Sequence, residues 1–275
     1  MARRRQERWY AFAALVLRPL MTVLTRRSWT HTDRLPRSGG VVVVPNHISH
    51  VDPLAVAHFL YDNGRLPRFL AKASLFEVFF VRRVLRGAKQ IPVYRETRDA
   101  QDAYREAVEA VLRGECVVVY AEGTLTRDAD LWPMAGKTGA ARIALETGCP
   151  VLPLAAWGPQ QLLPPYSKRP HLFPRPTMQV TVGEPVELSD LRERRGDPKV
   201  LREATDRIMA ALTALVGELR GQTPPRTRLD SRAAELAATG NAHVEYRLYR
   251  RGPAGRDRPA VPDPKVPGER QGNLP

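Results

Sequence analysis

Cysteine is scarce in this chain of 275 residues, which contains only Cys116 and Cys149. No CxxC or CxxH spacing occurs, and this excludes a zinc ribbon or a zinc finger. Cys116 begins an apolar segment typical of a buried strand, so we expect both cysteines to be buried and reduced rather than joined in a disulfide. This cysteine usage fits a cytosolic location.

Three other features are missing. The chain contains no G-x-S-x-G motif, which excludes the nucleophile elbow of α/β-hydrolases. A membrane-spanning helix needs about 20 apolar residues, whereas the apolar segment from Trp9 to Leu24 is shorter and is interrupted by Arg18 and Pro19. No small-x-small cleavage site follows this segment, which argues against a signal peptide.

Acidic residues are outnumbered, 29 against 43 basic ones, and the net charge of +14 predicts an anionic partner. Most of the excess lies at the two ends of the chain. Residues 1–34 contain eight arginines and two acidic residues, and residues 222–275 contain ten basic and six acidic residues. Neither an RNA-binding aromatic motif nor a helix-turn-helix signature occurs, so we expect no nucleic-acid partner.

The N-terminal segment, residues 1–34, combines arginines with apolar residues. Trp9 and Tyr10 begin the apolar part, and arginines flank it on both sides. This composition is typical of a helical element that lies in a membrane interface and is attracted by anionic headgroups. An amphipathic helix packed on its own domain is the alternative. We expect the interface role, with peripheral, monotopic attachment to the cytoplasmic face of the cell membrane.

Residues 35–221 alternate between strand-like and helix-like segments, which predicts an α/β domain with a mostly parallel central sheet flanked by helices. Buried strands are expected over 41–45, 116–122 and 150–158, a short strand over 68–72, an extended segment over 89–94 and a further strand from 178 onward. One helix is expected over 74–87, with Ser74 and Glu77 as its capping box. Residues 222–275 contain eight prolines and few large apolar residues, and we expect a disordered tail there.

Polar residues lie at the carboxyl ends of three of the expected strands: His47 after the first, Arg95 after the third and Glu122 at the end of the fourth. Ligands of α/β sheets bind beyond the carboxyl ends of the strands. If the chain turns from strand into helix after His47, Asp52 can hold one ring nitrogen while the other takes a proton from an alcohol. In the alternative interpretation Asp52 caps the helix and His47 is a loop residue. His50 is a second candidate base.

Four segments occur in an order and at intervals that resemble the glycerolipid acyltransferase family, whose members include the bacterial 1-acylglycerol-3-phosphate acyltransferases. They are NHISHVD, GAKQIPVYR, AEGTLTR and PVLPLAAWG. The resemblance covers roughly residues 20 to 220. It implies that His47 is the general base and that Asp52 orients it.

The resemblance also implies substrate contacts. Arg95 is expected to bind the phosphate of the acceptor, and Glu122, Gly123 and Thr124 to form the acceptor site, while Pro153 is associated with the acyl donor. The third segment departs from the family pattern, since Ala121 replaces a proline and Leu125 an arginine. Arg127, two residues later, is the candidate substitute for that arginine.

The expected reaction is transfer of a fatty acyl group from acyl-CoA or acyl-carrier protein to a lysophospholipid. The favoured acceptor is 1-acylglycerol-3-phosphate, which yields phosphatidate. The reaction requires neither a cofactor nor a metal. Three alternatives stay open: a different lysolipid or glycolipid acceptor, a metal-dependent hydrolase with His47, His50 and Asp52 as ligands, and a catalytically silent lipid-binding scaffold.

Overall fold

The computed structural model describes residues 2–93 and 99–230, and within them the side chains of residues 9–93 and 101–230. One seven-stranded sheet forms the centre of the described chain. Its strands are β1 (Arg26–Thr30), β2 (Val41–Pro45), β3 (Pro67–Lys72), β4 (Ile91–Val93), β5 (Cys116–Val118), β6 (Val151–Trp157) and β7 (Thr177–Val182).

The strands lie in the order β1-β7-β6-β2-β5-β3-β4. Every neighbouring pair is parallel except β6 and β7. The carboxyl ends of β2 to β6 therefore meet at one edge of the sheet, here called the carboxyl edge. Since β1 and β7 run in the opposite direction, both of them begin at this edge.

Helices cover both faces of the sheet. They are α1 (Ala2–Leu24), α2 (Asp52–Asp62), α3 (Phe79–Gly87), α4 (Asp99–Leu112), α5 (Gly139–Thr147), α6 (Pro159–Leu162) and α7 (Pro198–Arg220), with 3-10 helices at Thr32–Arg34, Ala73–Phe76 and Ser189–Arg194. Val42 and Val44 pack on the side of α4, α5 and α7, whereas Val41 and Val43 pack on the side of α2. A strand covered on both faces needs apolar residues at every position, which explains the run of four valines.

The predicted fold class is confirmed, and the two cysteines are free. The single helix predicted over 74–87 is wrong. A 3-10 helix ends at Phe76, Val78 is extended, and α3 begins at Phe79 without a side-chain cap. A continuous helix would place Phe76 and Phe80 on the same face, one turn apart. Phe76 is buried and Phe80 is 79% exposed, so the break separates two side chains with opposite environments.

Helix α1 packs on the domain and also presents apolar side chains to the surface. Tyr10 is buried, where its hydroxyl donates to the carbonyl of Pro67 and accepts a hydrogen bond of 2.6 Å from Gln90 Nε2. Tyr10 is therefore a packing residue of the domain and not an exposed aromatic of a membrane interface. Within the described chain no helix is long and apolar enough to cross a membrane.

The predicted domain limits, 1–34, 35–221 and 222–275, stay a prediction. In the structure the sheet already begins at Arg26, within the predicted N-terminal segment. Ala135 donates a backbone hydrogen bond of 2.9 Å to Leu229, so the first residues of the predicted tail contact the domain. The rest of that tail, residues 231–275, lies outside the described residues.

Candidate active site

His47 and Asp52 lie together at the carboxyl edge, just beyond β2. His47 Nδ1 is 3.0 Å from Asp52 Oδ2. The same oxygen accepts hydrogen bonds from the backbone amides of Ile48, at 2.6 Å, and Ser49, at 2.8 Å. Asp52 is the first residue of α2, and its carboxylate bonds the loop that precedes the helix. It therefore fixes the histidine ring and the turn from strand to helix at the same time.

The pair has the geometry of a general base and its orienting carboxylate. With Nδ1 directed at Asp52, Nε2 is the nitrogen that can accept a proton. Asp52 is fully buried; burial raises its pKa, and the hydrogen bonds from His47, Ser49 and Ile48 oppose that effect. Among the described residues no donor reaches its Oδ1. A buried carboxylate of this kind is stabilised when a positive charge forms on the imidazole beside it.

Tyr120 supports the imidazole from one side. The ring centroids of His47 and Tyr120 are 4.2 Å apart, and Phe69 stacks on the tyrosine with centroids 6.4 Å apart. Burial raises the pKa of Tyr120 well above its usual value, so the hydroxyl stays protonated. The side chain of His47 is 17% exposed, which leaves the imidazole accessible from the surface.

Glu122 holds the main chain of His47. The carboxylate is buried and accepts hydrogen bonds of 3.0 Å from the backbone amides of His47 and Met134. Thr126 donates a further backbone hydrogen bond of 2.7 Å to the carbonyl of His47. Burial raises the pKa of Glu122 to about 8, although the two backbone donors oppose the shift. In this structure Glu122 positions the main chain of His47; its expected role in the acceptor site stays a prediction.

Asn46 is a site residue that sequence reasoning missed. Its side-chain amide is fully buried. It donates a hydrogen bond of 3.0 Å to the carbonyl of Ala156 and accepts one of 2.7 Å from the backbone amide of the same residue. These two bonds tie the loop that carries His47 to the end of β6. The only signal in the sequence is a polar residue directly before the histidine, at the end of an apolar strand.

The remaining predicted residues lie in different surroundings. Gly123 has a φ of +71°, and a Cβ there would lie 2.9 Å from Lys137 Nζ, so a larger residue would be strained. Thr124 and Arg127 are half-buried in the loop beyond β5. Pro153 is buried inside β6, opposite Val44, away from the strand end.

Three further predictions have different outcomes. Arg95 lies outside the described residues, so its contact with a phosphate stays a prediction. His50 lies at the surface, where partial loss of hydration, together with the neighbouring His47, lowers the pKa of its imidazole. The described part of the chain contains no group of three or more His, Cys, Asp or Glu residues that could hold a metal ion. The alternative of a metal-dependent hydrolase therefore finds no ligand set there.

Comparisons with known proteins agree with this geometry. Residues 26–157 match the acyltransferase family model. A 1-acyl-sn-glycerol-3-phosphate acyltransferase of Borreliella burgdorferi is 32% identical over 129 residues, which are 46% of this chain and 50% of that protein. A chloroplastic enzyme of the same description from Brassica napus is 30% identical over 124 residues, 45% of this chain and 34% of that protein. The chain thus matches half or less of the length of these relatives.

A solved structure with the same fold is the crystal structure of the 1-acyl-sn-glycerophosphate acyltransferase PlsC from Thermotoga maritima. The TM-score is 0.58 at 22% identity, covering 80% of this chain and 81% of that one. At this identity the likeness bears on the fold, and it agrees with the α/β architecture. The region matched by the family model contains His47, Asp52 and Glu122. Residues 26–157 of this chain are therefore similar to the acyltransferase family in sequence, and the chain is similar to one of its named enzymes in fold.

Proposed function

We propose that the chain transfers a fatty acyl group from acyl-CoA or acyl-carrier protein to the hydroxyl of a lysophospholipid, with His47 as the general base. The distance of 3.0 Å between His47 Nδ1 and Asp52 Oδ2 is the observation that carries this proposal. This contact leaves Nε2 as the ring nitrogen that would take the acceptor's proton, and it puts a buried carboxylate where it would stabilise the imidazolium. A base held in this way supports direct attack by the acceptor, without an acyl-enzyme.

The steps follow from that arrangement. His47 Nε2 takes the proton of the acceptor hydroxyl as the oxygen attacks the thioester carbonyl. The C–O bond forms, the C–S bond breaks, and the imidazolium returns the proton to the leaving thiolate. The products are the ester and the free thiol, so the histidine ends in its initial state. Asp52 keeps the ring orientation throughout, and Glu122 holds the main chain of the base.

The acceptor we favour is 1-acylglycerol-3-phosphate, with phosphatidate as the product. The names of the relatives support this choice. Basic residues near the site, among them Arg127 and Lys137 beyond β5, are compatible with a phosphate. Arg95 is the first candidate for the phosphate contact, and Arg127 is the second because it follows the position where the family has arginine.

The proposal includes peripheral association with an anionic membrane on its cytoplasmic face, where such an acceptor resides. Helix α1 supports this part through a set of exposed apolar side chains, with the arginines of β1 directly after it. The exposed residues are Phe12, Leu15, Val16, Leu20 and Val23. Apolar residues next to arginines suit the boundary between acyl chains and headgroups.

A product assay tests the function. The purified full-length chain is incubated with labelled acyl-CoA, or with acyl-carrier protein, and with a panel of lysophospholipids that differ in headgroup, and the lipid product is identified by mass. We expect phosphatidate from lysophosphatidate and less product from acceptors whose phosphate is masked or absent. If acyl-CoA is only hydrolysed, or if no acceptor in the panel is acylated, the proposed function is wrong.

A further inference from the structure

A second group of exposed apolar side chains lies outside α1, around the start of α3. Four residues form it, here called the apolar tip: Leu75, Val78, Phe79 and Phe80. Phe79 and Phe80 are 60% and 79% exposed, and their rings contact each other edge to face with centroids 5.6 Å apart. Neighbouring exposed apolar side chains of this size in a soluble domain mark a surface that meets a partner.

The apolar tip lies on the same edge of the sheet as His47. The 3-10 helix that begins at Ala73 follows directly on β3, and β3 is parallel to β2 in the sheet. Phe69 of β3 stacks on Tyr120, which in turn contacts the ring of His47. The tip and the proposed base are therefore connected through the carboxyl edge, while α3 leads back toward the start of β4.

Other segments bring exposed apolar residues to this edge. Helix α1 ends there because β1 begins there, and Leu20 and Val23 near its end are exposed. The loop before β7 adds Phe173, which is 84% exposed. Arg175 of that loop donates hydrogen bonds to the carbonyls of Thr22, at 2.7 Å, and Thr25, at 2.9 Å, so the loop is bound to the end of α1.

The charge around the tip favours one kind of partner. Helix α3 contains three arginines and no acidic residue, and its sequence is FFVRRVLRG. Arg82 lies over the ring of Phe79, with its guanidinium carbon 5.8 Å from the centroid. Large apolar side chains at one end of a short helix, followed by arginines, match a surface that is apolar within and anionic at its boundary. An anionic bilayer has this structure.

We propose that the apolar tip inserts into an anionic bilayer as a second membrane contact, separate in sequence from α1. The two contacts present the carboxyl edge and His47 to the headgroup layer. Phe173, in the loop before β7, lies between them in the order of the strands across the sheet. The inference rests on the proposed function for the location of the acceptor. The binding itself does not depend on acyl transfer and can be measured without it.

The test compares flotation of full-length variants with vesicles of phosphatidylcholine and phosphatidylglycerol. The variant Phe79→Ser/Phe80→Ser removes the two most exposed rings of the tip. We expect its partition into the vesicle fraction to fall at least about tenfold, because two large apolar side chains no longer leave water. The conservative variant Phe79→Leu/Phe80→Leu keeps apolar side chains and should float nearly as well as the wild type.

Leu112→Ser is the matched control. Leu112 is 69% exposed at the end of α4, and β5 begins directly after that helix, so Leu112 lies at the opposite edge of the sheet. We expect this variant to float like the wild type. All variants should keep the melting temperature of the wild type and the same acyl transfer to a short-chain, water-soluble lysolipid. Absence of that transfer in the wild type would contradict the proposed function. The flotation assay would still show whether the apolar tip binds the bilayer.

Several results would overturn the inference. They are flotation of Phe79→Ser/Phe80→Ser at the wild-type level, an equal loss in Leu112→Ser, and a wild-type chain that does not float. In the last case, a change from dimer to monomer on substituting Phe79 and Phe80, seen by size-exclusion chromatography, would assign the tip to a second copy of the chain. If the chain floats with vesicles only after residues 231–275 are removed, the partner of the apolar tip is that segment.

Discussion

Glu122 accepts a hydrogen bond of 3.0 Å from the backbone amide of His47, a residue 75 positions earlier in the chain. Its other carboxylate oxygen accepts an equal bond from Met134. The side chain thus joins the loop after β2 to the loop after β5, and it positions the main chain of His47.

Glu122 should make stability depend on pH. Burial raises its pKa to about 8 from an ordinary 4.5, so between these values the folded protein retains a proton that the unfolded chain has lost. The free energy of unfolding then decreases as pH rises through that window, by at most about 1.4 kcal/mol per pH unit. In Glu122→Gln this component of the slope should be absent. Urea unfolding of both proteins at several pH values measures it, and parallel curves would contradict the buried, raised carboxyl group.

Asn46→Ala should lower both stability and activity. The change leaves the buried amide and carbonyl of Ala156 without their side-chain partner, and each such group costs about 1–3 kcal/mol. Since His47 follows directly, kcat should fall as well. Asn63→Ala is the control. The side chain of Asn63 donates a hydrogen bond of 2.8 Å to the carbonyl of Phe59 at the end of α2, far from His47 in sequence. Equal stability and kcat of Asn46→Ala and wild type in urea titrations and turnover assays would refute this role.

The strands and the contact between His47 and Asp52 could be predicted from the sequence because their signals are local. Residues 41–45 and the run from Cys116 onward are apolar at every position, as strands covered on both faces must be. His47 and Asp52 are five residues apart at the turn from strand to helix, so a single turn brings them together. In each case a few adjacent residues contain the information.

Other features could not be predicted because they depend on distant parts of the chain. Strand β1 reads RRSWT, which has no apolar pattern, and it forms a strand because β7 provides its hydrogen bonds. The break at Val78 follows from the burial of Phe76 and the exposure of Phe80, which the capping-box pattern does not encode. Tyr10 resembles an interfacial aromatic in sequence, yet its partners are Pro67 and Gln90.

Asp52→Asn should reduce kcat by less than the loss of the base does. The amide oxygen can accept the hydrogen bonds that Oδ2 now accepts from Ile48, Ser49 and the ring, so the loop should stay folded. The neutral amide cannot stabilise the imidazolium. We therefore expect a decrease in kcat smaller than the about 10²–10⁴-fold cost of removing a general base. A steady-state assay with a thermal melt checks this, and an unchanged kcat would contradict the role of Asp52.

Arg95→Ala should raise the KM for the acceptor and leave the KM for the donor nearly unchanged. A charge-assisted hydrogen bond to phosphate contributes about 1.5–3 kcal/mol, which corresponds to about a ten- to hundredfold change. The KM values for lysophosphatidate and for acyl-CoA show whether Arg95 binds the acceptor. Arg127→Ala should be measured in the same way, because Arg127 is the second candidate for the phosphate contact. A loss of thermal stability with both KM values unchanged would assign Arg95 to a structural ion pair.

The most direct measurement compares phosphatidate formation by the wild type and by His47→Ala, from labelled acyl-CoA and lysophosphatidate. His47 lies in a loop and its side chain is partly exposed, so the variant should melt at the temperature of the wild type. We expect turnover to fall about 10²–10⁴-fold. His50→Ala, on the exposed side of the same loop, should retain most of the activity. Turnover at the wild-type level in folded His47→Ala would contradict the assignment of His47 as the base.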